Sequence, residues 1–305
     1  MQFESNLRLG IDLGGSKIEI IALAQDGQIL LRQRIPTPQG DYSATLRAIK
    51  GLVEACEITL GQRGSIGIGI PGAESLATGL IKNANSTCLI GQALRQDLQN
   101  MLGRDIRLAN DANCFALSEA IDGSGQGQAV VFGIILGTGV GGGIVINQQV
   151  ITGANAIAGE WGHNPLPLPV AADLPLPDCY CGRQGCIESY LSGPGMSADH
   201  LRMTGETLSA EEIDQRAQAR DPHSEATLQR YETRLGRALA GVINLLDPQV
   251  IVLGGGLSKL SRLYTNLPAR CAPHVFSDTC YTKFLPPQHG DSSGVRGAAW
   301  LWNSP

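Results

Sequence analysis

The stretch LGIDLGGSKIEIIAL, Leu9–Leu23, decides the fold. Gly10 and Gly15 stand with four residues between them, as in a Walker A loop. Ser16 then precedes Lys17, whereas that loop has Lys before its Ser or Thr. The residues after Lys17 matter more than the order of letters. A phosphate loop of the Walker or dinucleotide type hands its ligand to the N-terminus of a helix that begins at once. Here Ile18-Glu19-Ile20-Ile21 comes next, an apolar run of strand character. Leu7–Leu13 and Ile18–Leu23 are therefore expected to be strands joined through Leu13–Lys17. The backbone of Gly14 and Gly15, the Ser16 hydroxyl and Lys17 would then face phosphate.

The arrangement recurs later in the chain. Val130–Leu136 and Gly143–Ile146 flank GTGVGG, which fits G-x-G-x-x-G at Gly137, Gly139 and Gly142. A strand comes after this loop too, and this excludes a nicotinamide dehydrogenase. A plain hairpin with glycines at positive φ explains either loop alone. Two such loops opening two similar α/β halves imply a polyphosphate clamped from both sides, with Gly137, Thr138 and Gly139 forming the second jaw. A third loop, LGGGLS, ends an apolar strand and precedes a helix. There Gly254, Gly255 and Gly256 would let a nucleoside rest on bare backbone. Asp12, at the end of the first strand, is placed to hold Mg²⁺ or simply to start a turn. Lys17 reads equally as a phosphate contact or a solvated lysine.

Around these loops the pattern is α/β. Asp41–Leu60 has helical spacing, SIGIGIPG and DIRLAND read as strands, and ANCFALSEAI reads as a helix. Pro222–Leu246 carries Leu228, Tyr231, Leu235, Leu239, Val242 and Leu246 on one stripe. It leads into QVIVLGGG, and a last helix at Val295–Trp302 is expected to pack back on the first lobe. The expected division is residues 1–121 with 291–305, and residues 122–290.

The 305 residues carry a net charge of −5 and no basic run, so nucleic acid is not an expected partner. No apolar run reaches the ~18 residues that cross a bilayer, and the first ten lack a signal peptide's apolar core, so a cytoplasmic protein is expected. Of eight cysteines, three crowd into CYCGRQGC as Cys179, Cys181 and Cys186. In a reducing compartment that trio fits a metal site better than disulfides. Its spacing is tighter than paired C-x₂-C knuckles, so a fourth ligand must come from elsewhere.

Together GIDLGGSK, NDANCFALSEA, LGTGVGGG, GEWGH and CYCGRQGCIES resemble the ROK sugar kinases (repressor, open reading frame, kinase) of the hexokinase–actin–Hsp70 superfamily. The resemblance covers nearly the whole chain. It departs at Ser16, where the family more often has Thr, though the hydroxyl is kept. It implies a two-lobed, actin-like (ribonuclease H-like) α/β fold with an interlobe cleft, ATP and Mg²⁺ as cofactors, and a homodimer. His163 becomes the fourth ligand of a structural Cys₃His Zn²⁺ site, its other ring nitrogen offered to a sugar hydroxyl. Asp111 becomes the catalytic base, although Asp at a strand-to-helix junction commonly only caps the helix. A helix N-terminus there should lower its pKa. Asn85, Asn110, Asp111, Glu160, His163 and Glu188 would bind sugar hydroxyls, with Gly72 adding a backbone contact.

KNANSTCLIGQ, GEWGHNPLP and HGDSSGVRGAAWLW look most like the fructokinase/mannokinase branch. NDANCFALSEA and ITG are shared with the N-acetylglucosamine kinases. The expectation is transfer to the 6-hydroxyl of a free hexose, with fructose best and mannose or glucose secondary. N-acetylglucosamine is the alternative substrate, and a non-catalytic sugar sensor the alternative class. A ROK repressor would need a helix-turn-helix module before Asp12, where about eleven residues stand.

Overall fold

The computed structural model describes residues 7–84 and 86–302, apart from the Asp291 side chain. It divides into two α/β units, each with its own apolar core. The first takes in the chain up to Gly127, Gln148–Ala158 and everything from Gln288 onward. The second holds Gln128–Asn147 and Gly159–Pro287. The division thus falls a few residues later than 121, and residues 148–158 make an excursion into the first unit. Lys82 anchors that excursion, its Nζ donating to the Asn155 carbonyl at 3.2 Å.

The first sheet contains β1 (Arg8–Leu13), β2 (Lys17–Leu23), β3 (Ile29–Pro36), β4 (Ser65–Ile70) and β5 (Ile106–Asn110), side by side as β3-β2-β1-β4-β5. β1 pairs antiparallel with β2, Leu13 opposite Ile18, and parallel with β4, which in turn pairs parallel with β5. The ends of three parallel strands therefore share one edge. β1 and β2 are apolar on both faces because both are covered. Among the polar residues of these strands, Glu19 of β2 is the fully buried one, 1% exposed, and it accepts hydrogen bonds from Arg32 and Arg34 of β3. Burying a carboxylate requires such partners.

Tyr42–Leu60 is helical as expected, its first turn capped by Asp41, which accepts from the Ala44 amide at 2.8 Å. The last helix runs Ser293–Trp300, two residues earlier than its spacing suggested. It presses directly on the sheet: a Cβ on Gly10 would lie 2.1 Å from the Val295 carbonyl, and one on Gly67 would lie 1.9 Å from that of Ala298. Only glycine permits this approach.

The second sheet contains β6 (Val130–Leu136), β7 (Val140–Ile146), β8 (Val250–Gly254) and β9 (Lys283–Leu285). β6 and β7 form an antiparallel hairpin, while β8 runs parallel to both β6 and β9. Both units thus open with a hairpin whose first strand pairs in parallel with a later one. β7 begins at Val140 and not Gly143, so the loop has three residues. The supposed third fingerprint glycine, Gly142, lies inside the strand. A Cβ there would stand 2.7 Å from the Trp161 ring, so Gly142 makes room for packing.

Pro222–Leu246 forms the expected helix, its start capped by Asp221. Leu228, Tyr231, Leu235 and Leu239 are buried, joined by Ile243, while Val242 and Leu246 are partly buried against the same core. Among the described residues, no helix is long and apolar enough to cross a membrane.

Candidate functional site

In the first unit, the candidate residues gather where β1, β4 and β5 end, the edge at which open parallel sheets bind ligands. The turn after β1 closes with the Gly14 amide donating to the Lys17 carbonyl at 3.0 Å. The carbonyls of Gly14 and Ser16 accept from Thr37, and that of Gly15 from Gln39. With its oxygens engaged, the exposed turn offers an anion the amides of Gly15 and Ser16 and the Ser16 hydroxyl. Lys17 Nζ lies 3.8 Å from Glu19, so part of its charge answers that buried carboxylate.

Asn110, not Asp111, is the cap of the helix Asp111–Ile121, accepting from the Ala112 amide at 2.9 Å. Its Nδ2 donates to the Gly72 carbonyl at 3.1 Å, tying the end of β5 to the turn after β4. Two of the groups expected to touch sugar are therefore bonded to each other. Asp111 starts the helix and also accepts from Ala112 N, at 2.8 Å. Burial pushes the Asp12 carboxyl up to about 6, and the neighbouring Asp111 and Glu19 charges add to the rise against Lys17 and Arg34. A buried carboxyl with a second carboxylate beside it is a natural place for a divalent cation. Asn85 lies outside the described residues.

In the second unit, Gly137, Thr138 and Gly139 span the β6–β7 turn. One Glu188 carboxylate oxygen accepts the Val140 amide at 2.8 Å, and a Cβ on Gly139 would stand 2.7 Å from that oxygen. The sequence assigns Glu188 to sugar and misses this grip on the glycine turn, because a contact across 48 residues leaves no local pattern. Gly255, at φ +80°, sits against β6: a Cβ on it would meet the Leu136 carbonyl at 2.4 Å. The parallel pair β6–β8 thus carries Gly137–Gly139 and Gly254–Gly256 on the same edge.

Glu160 is exposed and precedes the 3₁₀ turn Trp161–His163, where residues three apart share a side. The indole of Trp161 donates to the Gly141 carbonyl at 3.0 Å, docking this turn on β7. His163 Nδ1 lies 3.6 Å from the Cys179 sulfur, and the Cys181 and Cys186 sulfurs are 3.7 Å apart. All four ligand atoms lie within 4.8 Å of one another. A tetrahedron with Zn–S bonds of ~2.3 Å has edges of roughly 3.8 Å, so the set fits Zn²⁺. Burial pushes the Cys186 thiol up to about 12, and hydrogen bonds with Cys181 and Cys179 add to the shift. A bound cation would favour the thiolate that a metal site uses.

The backbone brings the ligands together through a folded-back loop. Cys179 N donates to Arg183 O and Leu166 N to Gly185 O, both at 2.8 Å, while Gly182 and Gly185 take positive φ. His163 Nε2 meets the Tyr180 hydroxyl at 3.0 Å, so the nitrogen expected to face sugar has a protein neighbour. Sequence reasoning misses Tyr180. Its place between two ligand cysteines is the signal that could have found it.

With this geometry in view, the chain belongs to the ROK family, whose pattern matches residues 8–304. It has the two-lobed, actin-like ATPase fold of that family's solved members. It is 29% identical to a ROK hexokinase from Thermus thermophilus, with a TM-score of 0.86 and 97% of each chain covered. It is 28% identical to a ROK glucokinase from Streptomyces griseus solved with glucose and AMPPNP, with a TM-score of 0.74 over 97% of this chain and 98% of that one. Curated relatives point to a different sugar. The chain is 43% identical to the N-acetyl-D-glucosamine kinase of Erwinia tasmaniensis over 96% of its length and 98% of the relative's. It is 40% identical to the N-acetyl-D-glucosamine kinase of Yersinia pseudotuberculosis, with 96% and 97% covered. The expectation of a fructokinase is overturned by these relatives. KNANSTCLIGQ, GEWGHNPLP and HGDSSGVRGAAWLW, read as branch markers, are short stretches, whereas the identity to N-acetyl-D-glucosamine kinases runs along nearly the whole chain.

Proposed function

We propose that this protein transfers the γ-phosphoryl group of ATP to the 6-hydroxyl of N-acetylglucosamine. The observation that carries the substrate is the 40–43% identity to N-acetyl-D-glucosamine kinases across nearly the entire chain. ATP supplies the phosphoryl group, and magnesium, when bound, would offset its charge. The chain's own residues position and neutralise. The Gly14–Lys17 and Gly137–Gly139 turns offer amides and hydroxyls to phosphate oxygens, and Gly254–Gly256 takes the nucleoside. Asp12, pushed up to about 6 by burial and by the neighbouring Asp111 charge, would hold the magnesium ion. Asp111 accepts the proton of the attacking hydroxyl. Asn110, Glu160 and Glu188 address the sugar, and His163 joins them where its Nε2 gives up the Tyr180 hydroxyl. Cys179, Cys181, Cys186 and His163 would hold Zn²⁺, which would supply a structural tie just before the short helix Glu188–Leu191.

An ADP-release assay across N-acetylglucosamine, fructose, mannose and glucose tests the assignment. The highest kcat/KM is expected for N-acetylglucosamine, with phosphorus NMR placing the product phosphate on C6. A higher kcat/KM for fructose or glucose would overturn the substrate. No ADP release with any sugar would overturn the activity.

A further inference from the structure

The long helix Pro222–Leu246 carries three arginines on one face, Arg230, Arg234 and Arg237, at helical spacing. Arg234 and Arg237 are 2% and 4% exposed. Their countercharges come from other elements. Arg234 pairs with Asp173 at 2.8 Å and Asp199 at 3.0 Å, Arg237 with Asp173 at 2.7 Å, and Arg230 with Asp199 at 2.8 Å. Arg202 also leans on Asp199, at 2.7 Å. Four guanidinium groups thus share two carboxylates. On the neighbouring helix Arg262–Cys271, Arg262 and Arg270 face Glu225 and Glu232, so that pair of acids is already matched. The cluster keeps a surplus of two positive charges, which the neutral carbonyls of Leu168, Ala172 and Leu174 answer only in part.

Part of this cluster, Asp173, Arg230, Arg234 and Arg237, lines a cavity of about 340 Å³ together with Thr233 and Arg270, while Arg202 and Asp199 lie outside its wall. That volume is within the range of small-ligand pockets, about 300–1,000 Å³. Arg237 Nε is buried and has no hydrogen-bond partner, an expensive state for a charged donor. None of the wall residues belongs to the sugar, phosphate or metal groups described above.

We propose that this cavity is a second ligand site, which takes a small phosphate-bearing anion. The planar fork of a guanidinium matches two oxygens of a phosphate, and the wall itself sets four guanidinium groups against one carboxylate. Arg270, 40% exposed, stands at the wall where an entering anion would meet it. Free phosphate and the phosphate of a hexose 6-phosphate share this chemistry.

The test is isothermal titration of the full chain with inorganic phosphate, and separately with glucose 6-phosphate, at constant ionic strength. Two variants act on the cavity by different means: Arg270→Glu reverses a charge, and Ala226→Leu narrows the space. Binding elsewhere persists in both, so the difference from the parent isolates the cavity. Saturable binding weakened at least about tenfold by Arg270→Glu is expected, the loss of a charge-assisted hydrogen bond being of that size, and Ala226→Leu should weaken it by filling the space. If glucose 6-phosphate alone shows the effect, the ligand is a sugar phosphate; if both do, the phosphate group suffices. Equal affinities in parent and variants, or no saturable binding, would overturn the proposal.

Discussion

At the scale of single residues, Asp111 and Gly142 show how one side chain, or the lack of one, decides a role. The helix cap falls to Asn110, which frees the adjacent acid from being merely a cap. Asp111→Asn keeps the shape, and it still leaves an oxygen for the Ala112 amide. Its thermal stability should therefore hold, while kcat falls by ~10²–10⁴, the usual cost of losing a general base. Near-parental turnover would remove Asp111 from the mechanism. Gly142 matches a dinucleotide fingerprint in letters only. Gly142→Ala forces a methyl group against Trp161 and the Gly159 carbonyl. Overpacking of this kind costs ~1–3 kcal/mol, to be read from a denaturant melt. A variant as stable as the parent would show that the strand tolerates the methyl group.

At the scale of elements, legibility followed locality. The hairpin at Leu9–Leu23, the helix Pro222–Leu246 and the crowded cysteines repeat or cluster within a few residues, so periodicity and spacing exposed them. The grip of Glu188 on Val140 and the arginine–aspartate cluster join segments tens of residues apart. No local pattern announces them. The start of β7 was misplaced because glycines at 141–143 mimic a loop although they pack as strand. The cysteine loop has little regular structure of its own and joins His163 to three cysteines. Mass spectrometry of purified protein should find about one zinc per chain, and stripping it with a chelator should lower the melting temperature. Metal-free protein with an unchanged melting temperature would reduce the cluster to free thiols.

On the scale of the whole molecule, the returning segment is fastened by charge as well as packing. Asp122 accepts from Arg296 and from the Trp300 indole at 3.0 Å, and its carboxylate lies 3.2 Å from His289 Nε2. Burial alone would push the Asp122 carboxyl up, yet hydrogen bonds from His289 and Arg296 hold it below its ordinary value. The hydrogen bond to Asp122 raises His289 against the opposing effect of burial. A histidine raised on folding adds stability fully below about 6.5 and loses it as pH climbs through the folded value. The melting-temperature gap between parent and His289→Gln should therefore be widest near pH 6 and shrink by pH 9. A gap that does not change with pH would mean that the histidine acts only by shape. The family and the two-unit fold were legible from motifs spread along the chain. The preferred sugar was not, since segments common to a family cannot rank substrates within it.

The close seat of Ser293–Trp300 on Gly10 and Gly67 bears on biosynthesis. A ribosome delivers β1 and β4 first, then the entire second unit, and only after that the helix that covers them. Until then a nascent chain shows naked glycine-lined strands to solvent, a surface that invites chaperones. A stop codon just ahead of Ser293 would leave that surface bare for good.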